Sequence, residues 1–167
     1  MATLRILGLD PGLARMGWGV IEWRGANLIH VAHGVLTTSA ELALGLRLLA
    51  LHERLADVIA ETAPGALAIE QAFVHKDPSA ALKLGQARAI AMLAAAQAGL
   101  LIAEYAPNHI KKCVTGRGHA GKADVLAMVR RLLPRADVTA PDAADALACA
   151  IAHAHLGGTL SRIAAAS

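Results

Sequence analysis

Four carboxylates occupy places from which a chain can deliver acid to a single pocket: Asp10, Glu70, Asp142 and Asp145. Asp10 ends the apolar run Leu4-Arg5-Ile6-Leu7-Gly8-Leu9 and is followed at once by Pro11-Gly12, so a strand carries it to the rim of a sheet beside a turn. Leu67-Ala68-Ile69-Glu70 ends in the same way. Asp142 and Asp145 are three residues apart in the first turn of a late alanine-rich helix, and so share one helical face. Taken singly, each acid has an ordinary explanation: strand ends meet water, and aspartates near a helix N-terminus cap free N–H groups and favour the macrodipole. Acids on adjacent parallel strands are harder to explain that way, because like charges raise one another's pKa and destabilise the fold unless a cation sits between them. The alanines of Asp142-Ala143-Ala144-Asp145-Ala146-Leu147-Ala148 allow the helix to come close to the sheet with its acids. Such an all-oxygen cluster suits Mg²⁺, with Mn²⁺ able to substitute. Two such ions can activate a water on one side of a phosphodiester and stabilise the leaving oxygen on the other, which is the chemistry of hydrolytic strand cleavage.

The elements that must position these acids follow from periodicity. Leu4–Asp10, Arg15–Trp23 and Asn27–Thr37 read as three strands with short glycine-containing connections, an antiparallel meander. Leucines at helical spacing predict a helix from Glu41 to about Ala63, stopped by Pro64-Gly65. That helix is a crossover that returns the strand Ala66–Glu70 beside the first strand in parallel. Asp10 and Glu70 then lie at neighbouring strand ends, where open α/β sheets bind ligands. Residues 79–99 read as a second helix, Leu100–Tyr105 as a fifth strand, and Pro107–Val114, Lys122–Leu133 and Pro141–His155 as further helices. The second helix is apolar nearly all round, which fits either burial within the chain or a homodimer contact. A single domain over residues 1–156 is expected, with 157–167 a flexible C-terminal tail.

Composition narrows the functional classes. No apolar run approaches the roughly 18 residues that a membrane span needs, and no signal peptide precedes the first strand. Cys113 and Cys149 are far apart without metal-binding spacing, which fits a reduced cytoplasmic protein with two free thiols. The formal net charge is only +3, yet residues 76–135 hold ten basic and three acidic residues, a local balance of +7 against −4 elsewhere. A basic flank beside an acidic cluster suits a polyanion bound next to a metal site; solvated helix faces would leave the same trace.

Taken together, Leu9-Asp10-Pro11-Gly12, Ala68-Ile69-Glu70-Gln71-Ala72-Phe73, Ala80-Ala81-Leu82-Lys83-Leu84-Gly85-Gln86-Ala87-Arg88 and Asp142-Ala143-Ala144-Asp145-Ala146-Leu147-Ala148, with His153 and His155 following, resemble the signature segments of the RuvC Holliday-junction resolvases. The likeness runs from about Leu4 to His155. It implies an RNase H-like α/β fold: a mixed five-stranded sheet, its first three strands antiparallel and strands 1, 4 and 5 parallel, flanked by helices. It also implies a homodimer that nicks opposing strands of a four-way DNA junction in recombination and repair, and a RuvA–RuvB branch-migration complex as partner. Asp10, Glu70, Asp142 and Asp145 match the family's catalytic metal-binding acids, for which two ions per site are expected. Lys111 and Lys122 match basic positions near the scissile phosphate, where they would stabilise developing negative charge.

Other residues have two readings. Phe73, the only phenylalanine, is either a core plug or a wedge stacking on an unpaired base; the resemblance supports the wedge. Lys76, Lys83, Arg88, Lys112 and Arg117 are candidates for tracking the DNA backbone without reading sequence. Gly116–Lys122 has the spacing of a nucleotide-binding P-loop but follows a polar segment and ends in Ala123 instead of Ser or Thr, so a DNA-facing loop is the better reading. His153 and His155 read as dipole partners at a helix end, and Cys149 as core beneath the site. Two rivals stand beside the nuclease: a non-catalytic junction-binding protein with a degenerate site, and an actin-like ATP-binding domain. The chain is too short to supply the second domain that the latter needs.

Overall fold

The computed structural model describes residues 3–71 and 77–166, with side chains through residue 157. The described elements run β1 (Thr3–Asp10), β2 (Arg15–Arg24), β3 (Asn27–Thr37), α1 (Leu44–Thr62), β4 (Ala66–Glu70), α2 (Pro78–Gln97), β5 (Leu101–Tyr105), α3 (Pro107–Thr115), α4 (Lys122–Leu132) and α5 (Pro141–Ala166). The five strands form one sheet in the order β3-β2-β1-β4-β5. β1, β2 and β3 are antiparallel neighbours, while β4 runs parallel to β1 and β5 parallel to β4, the mixed sheet expected from the sequence.

Two element ends differ from the sequence reading by more than two residues. α1 starts at Leu44 rather than Glu41, because Ser39 closes a turn first: its side-chain oxygen accepts from the Glu41 N–H at 3.2 Å and its carbonyl from the Leu42 N–H at 3.3 Å. The helix then stops where Pro64-Gly65 demands, with Ala63 in the left-handed region at φ 46°. α5 does not close at His155. Its backbone stays helical to Ala166, where alanines have the highest intrinsic propensity and outweigh the cost of Gly157-Gly158. Among the described residues, no helix is long and apolar enough to cross a membrane.

The sheet separates two cores. Leu7, Leu9, Val20, Leu67 and Ile69 face α1 and α2, whereas Ile6, Ile21 and Ala68 face α3, α4 and α5. Because side chains alternate along a strand, Gly8 and Asp10 share the face of Ile6, and Glu70 shares that of Ala68. This second face is unusually flat. A Cβ on Gly8 would collide with the backbone of Ala146, one on Gly17 with the backbone of Asp142, and one on Gly19 would lie 2.5 Å from Leu147 Cδ2. The opposing helix surface is itself small, with Ala143, Ala146 and Ala150 fully buried. Glycine on the sheet and alanine on the helix therefore let α5 lie almost directly on β1 and β2.

A methyl group at Gly8 must push α5 away. Gly8→Ala is expected to cost at least about 1–3 kcal/mol, the usual penalty for overpacking, seen as a lower midpoint of urea unfolding. Gly85, in the middle of α2 with nothing within 4 Å of its would-be Cβ, is the control. Gly85→Ala should raise stability by roughly 0.5–1 kcal/mol through helix propensity.

Candidate active site

Each acid arrives by a different route. The parallel register that pairs Leu9 with Ile69 makes the next residues along, Asp10 and Glu70, neighbours at the carboxyl ends of β1 and β4. Asp145, in the second turn of α5, is brought over these ends by the close helix–sheet approach. From the opposite side α3 contributes Lys111 and the first residue of α4 is Lys122. Asp10, Glu70, Asp145, Lys111 and Lys122 line one open pocket of about 200 Å³, with Ile110, Val125 and Ala148 among its apolar walls. A second hollow of about 100 Å³ reaches the same Asp10 and Glu70 from the α2 side, between Pro11, Gln71 and Leu84. The two strand-end carboxylates are thus reachable from both sides.

The electrostatics record this crowding. Burial, then repulsion from Asp145, Glu70 and Asp142, pushes the Asp10 carboxyl from its ordinary 3.8 up to about 7, with Lys122 pulling the other way. Burial and Asp145 also raise Glu70, opposed by Lys111 and Lys122. Asp145 is raised by burial, with Lys122 Nζ 3.7 Å away drawing it back. Directly beneath, Cys149 is buried and its thiol is raised by burial and by the charges of Glu70 and Asp10; it packs as core, as its place on the helix predicted.

Asp142 stands apart. Its carboxylate accepts a hydrogen bond from Arg15 Nε at 2.7 Å, and it does not line the pocket of the other three acids. As the side chains stand, no three His, Cys, Asp or Glu among the described residues close on one point as a finished metal shell does. The donor set nevertheless fits a hard divalent cation. Hard carboxylate oxygens face one pocket, and three of those groups have pKa values raised by burial and mutual repulsion that a cation would relieve.

Among the basic candidates the structure separates inward from outward. Lys83, Lys112 and Arg117 are exposed, Arg117 lying 3.9 Å from Asp124. Arg88 departs from the outward-facing position expected of it. Its side chain is only 17% exposed, donating from Nε to the Glu70 carbonyl at 3.1 Å and pairing with Glu104, so it ties the end of β4 to β5. Phe73 and Lys76 lie outside the described residues. His153 is not a helix-terminal dipole partner, since α5 continues past it; half-buried, it is hydrogen-bonded to the Tyr105 hydroxyl at 2.7 Å, and burial lowers its pKa. Sequence reasoning missed Arg15 because it lies outside the basic stretch of residues 76–135. Its one signal was position: it opens the strand that pairs with β1, just past the Asp10-Pro11-Gly12 turn.

A family model described as crossover junction endodeoxyribonuclease RuvC matches residues 6–153. The crossover junction endodeoxyribonuclease RuvC of Parvibaculum lavamentivorans is 57% identical over 164 residues, covering 98% of this chain and 94% of that protein. That of Nitrobacter hamburgensis is 56% identical over 157 residues, covering 94% and 92%. The chain belongs to the RuvC family of crossover junction endodeoxyribonucleases. Among solved structures, Thermus thermophilus RuvC in complex with a Holliday junction substrate superposes with a TM-score of 0.88 at 32% identity, covering 95% of this chain and 97% of that one. The yeast mitochondrial Holliday junction resolvase Ydc2 shares the fold, with a TM-score of 0.66 at 11% identity over 94% of this chain and 82% of its own. The RuvC match therefore spans every element that contributes to the pocket.

The raised Asp10 pKa has a consequence for stability. Between about pH 4 and pH 7 the folded protein keeps a proton on Asp10 that the unfolded chain has released, so stability from this group falls as pH rises through that window. Asp10→Asn removes the penalty. In metal-free buffer at pH 8 it should melt several degrees above the parent, on the order of a few kcal/mol, with a flatter pH–stability profile from 4 to 7. Added Mg²⁺ should stabilise the parent and have much less effect on the variant, as followed by thermal denaturation.

Proposed function

We infer that this RuvC-family chain is an endodeoxyribonuclease that resolves Holliday junctions, cutting opposing strands by hydrolysis. The observation that carries the site assignment is the meeting of Asp10, Glu70 and Asp145 with Lys111 and Lys122 in one pocket at the carboxyl ends of β1 and β4. Asp10, Glu70, Asp145 and Asp142 would hold divalent metal: Mg²⁺, with Mn²⁺ able to substitute, and two ions at full occupancy. When bound, such ions supply an activated water and stabilise the leaving oxygen of a phosphodiester. The carboxylates orient the metal-binding site from two rigid strands and one rigid helix. Lys111 and Lys122 approach from the α3–α4 side, where their ammonium groups can stabilise negative charge that builds on the scissile phosphate.

Exposed Lys83, Lys112 and Arg117 are suited to hold DNA backbone, and Phe73 to stack on an unpaired base at the crossover. A homodimer is supported by large exposed apolar side chains on the α1–α2 side, including Leu46 and Leu49 on α1 and Leu82 and Leu93 on α2. Two copies would present two pockets to one junction, as paired nicks require. A RuvA–RuvB branch-migration complex fits as the machine that delivers the substrate.

The test is a cleavage panel of a synthetic four-way junction, linear duplex and RNA–DNA hybrid, each in Mg²⁺, Mn²⁺ or chelator. Paired nicks are expected in the four-way junction alone and only with metal. Asp10→Asn should abolish product while the junction still shifts in a gel, and Lys122→Ala should slow turnover by about 10²–10³-fold. A gel shift with no product under any metal would instead favour a junction-binding protein with a degenerate site. Sedimentation at working concentration should give a dimer; a monomer would remove the paired geometry.

A further inference from the structure

Asp142 is the candidate acid bound by a guanidinium of the chain, whereas Asp145 has the Lys122 ammonium 3.7 Å away, within the pocket. Asp142 lies in the first turn of α5, and Arg15 reaches it from the start of β2 across 127 positions of sequence, Nε to Oδ2 at 2.7 Å. Both ends of this bond are fixed by backbone. Arg15 pairs in register with Thr37 of β3, and the carbonyl of Asp142 is pressed against Gly17, two residues along the same strand. The side chains themselves remain accessible, Arg15 at 55% and Asp142 at 25% relative exposure. An oxygen accepting from a guanidinium is poorly placed to serve a metal ion at the same time, and Asp142 is the acid that does not line the pocket of Asp10, Glu70 and Asp145.

We propose that Arg15 is a positioning residue that holds Asp142 out of the metal shell until a DNA backbone phosphate takes over its guanidinium, so that metal and junction bind cooperatively. The proposal rests on the reading that these acids hold metal and that junction DNA is the substrate. A guanidinium exchanges carboxylate for phosphate readily, since its planar fork suits both. The exposed pair is also weak enough to be broken by competition: such pairs are worth roughly 0.2–1 kcal/mol, about a 1.4- to 5-fold change in an equilibrium constant. Linkage then requires that bound metal raise junction affinity by the same factor as bound junction raises metal affinity.

The experiment titrates Mn²⁺ into the full-length, DNA-free protein, followed by the loss of the free-ion signal in electron paramagnetic resonance. It compares the parent with Arg15→Gln, Asp142→Asn and the double variant. Arg15→Gln should tighten Mn²⁺ binding about 2- to 5-fold. In the Asp142→Asn background the same change should have no effect, which separates release of Asp142 from simple removal of a nearby positive charge. A four-way junction binding measurement in chelator should show Arg15→Gln weakened, because its phosphate contact is lost. Unchanged or weaker Mn²⁺ binding in Arg15→Gln, or tightening that persists undiminished in the double variant, would overturn the proposal. If the parent takes up no Mn²⁺ at all, the metal reading itself fails, and this inference with it. Thermal melting of each variant confirms that it is folded, as expected for substitutions at accessible side chains.

Discussion

Everything at the site depends on how near one helix can come to one sheet. α5 carries two of the four acids, and it reaches the strand ends because β1 and β2 offer it Gly8, Gly17 and Gly19 where other sheets offer side chains. The contact is backbone against backbone, with alanines filling what room is left. Packing of this kind gains little from any single large apolar side chain. It gains from having no voids and from locking the helix at a fixed height, since a close-packed interface resists sliding. The acids are consequently held by rigid elements on every side, which suits chemistry that tolerates little misplacement.

The same closeness has an electrostatic cost. Carboxylates that could have spread into water are gathered in a half-buried pocket, and Asp10 bears most of the strain. Lys122 offsets part of it, Lys111 and Lys122 do the same for Glu70 and Asp145, and Arg15 pairs with Asp142. Such a site is destabilising by itself, and a bound divalent cation would relieve the repulsion. Local instability at a functional centre, supported by two well-packed cores on either face of the sheet, is how a domain keeps both its fold and its chemistry.

Much of this was legible in the chain. Apolar strands ending on Asp10 and Glu70, with a leucine-rich crossover between them, dictate parallel neighbours and a shared rim. The alanines around Asp142 and Asp145 pointed to close helix approach, but only half of the reason was visible, because Gly8 on one strand and Gly17 and Gly19 on the next show no shared face until the register is known. Side-chain direction was the other blind spot. Nothing in the pattern of Ala87-Arg88 distinguishes a guanidinium that faces DNA from one that turns in to the Glu70 carbonyl. Nothing in residues 11–15 marks Arg15 as the partner of an acid 127 positions away. The helix end at His155 was misjudged because a terminal segment with little to anchor it reads as a frayed tail, whereas the backbone continues helical to Ala166.

The outer strand β3 bears on how copies of this chain can meet. Its ladder with β2 is interrupted between Val20 and Ile21, where the pairing jumps from Ala32 to His30 and Val31 is left over. A bulge of that kind twists an edge and spoils it as a template for another strand. At the far side of the sheet β5 is only five residues long, too short to recruit a partner by main-chain hydrogen bonds alone. Growth of the sheet by strand addition is thereby discouraged at both margins, which guards the chain against open-ended edge-to-edge polymerisation.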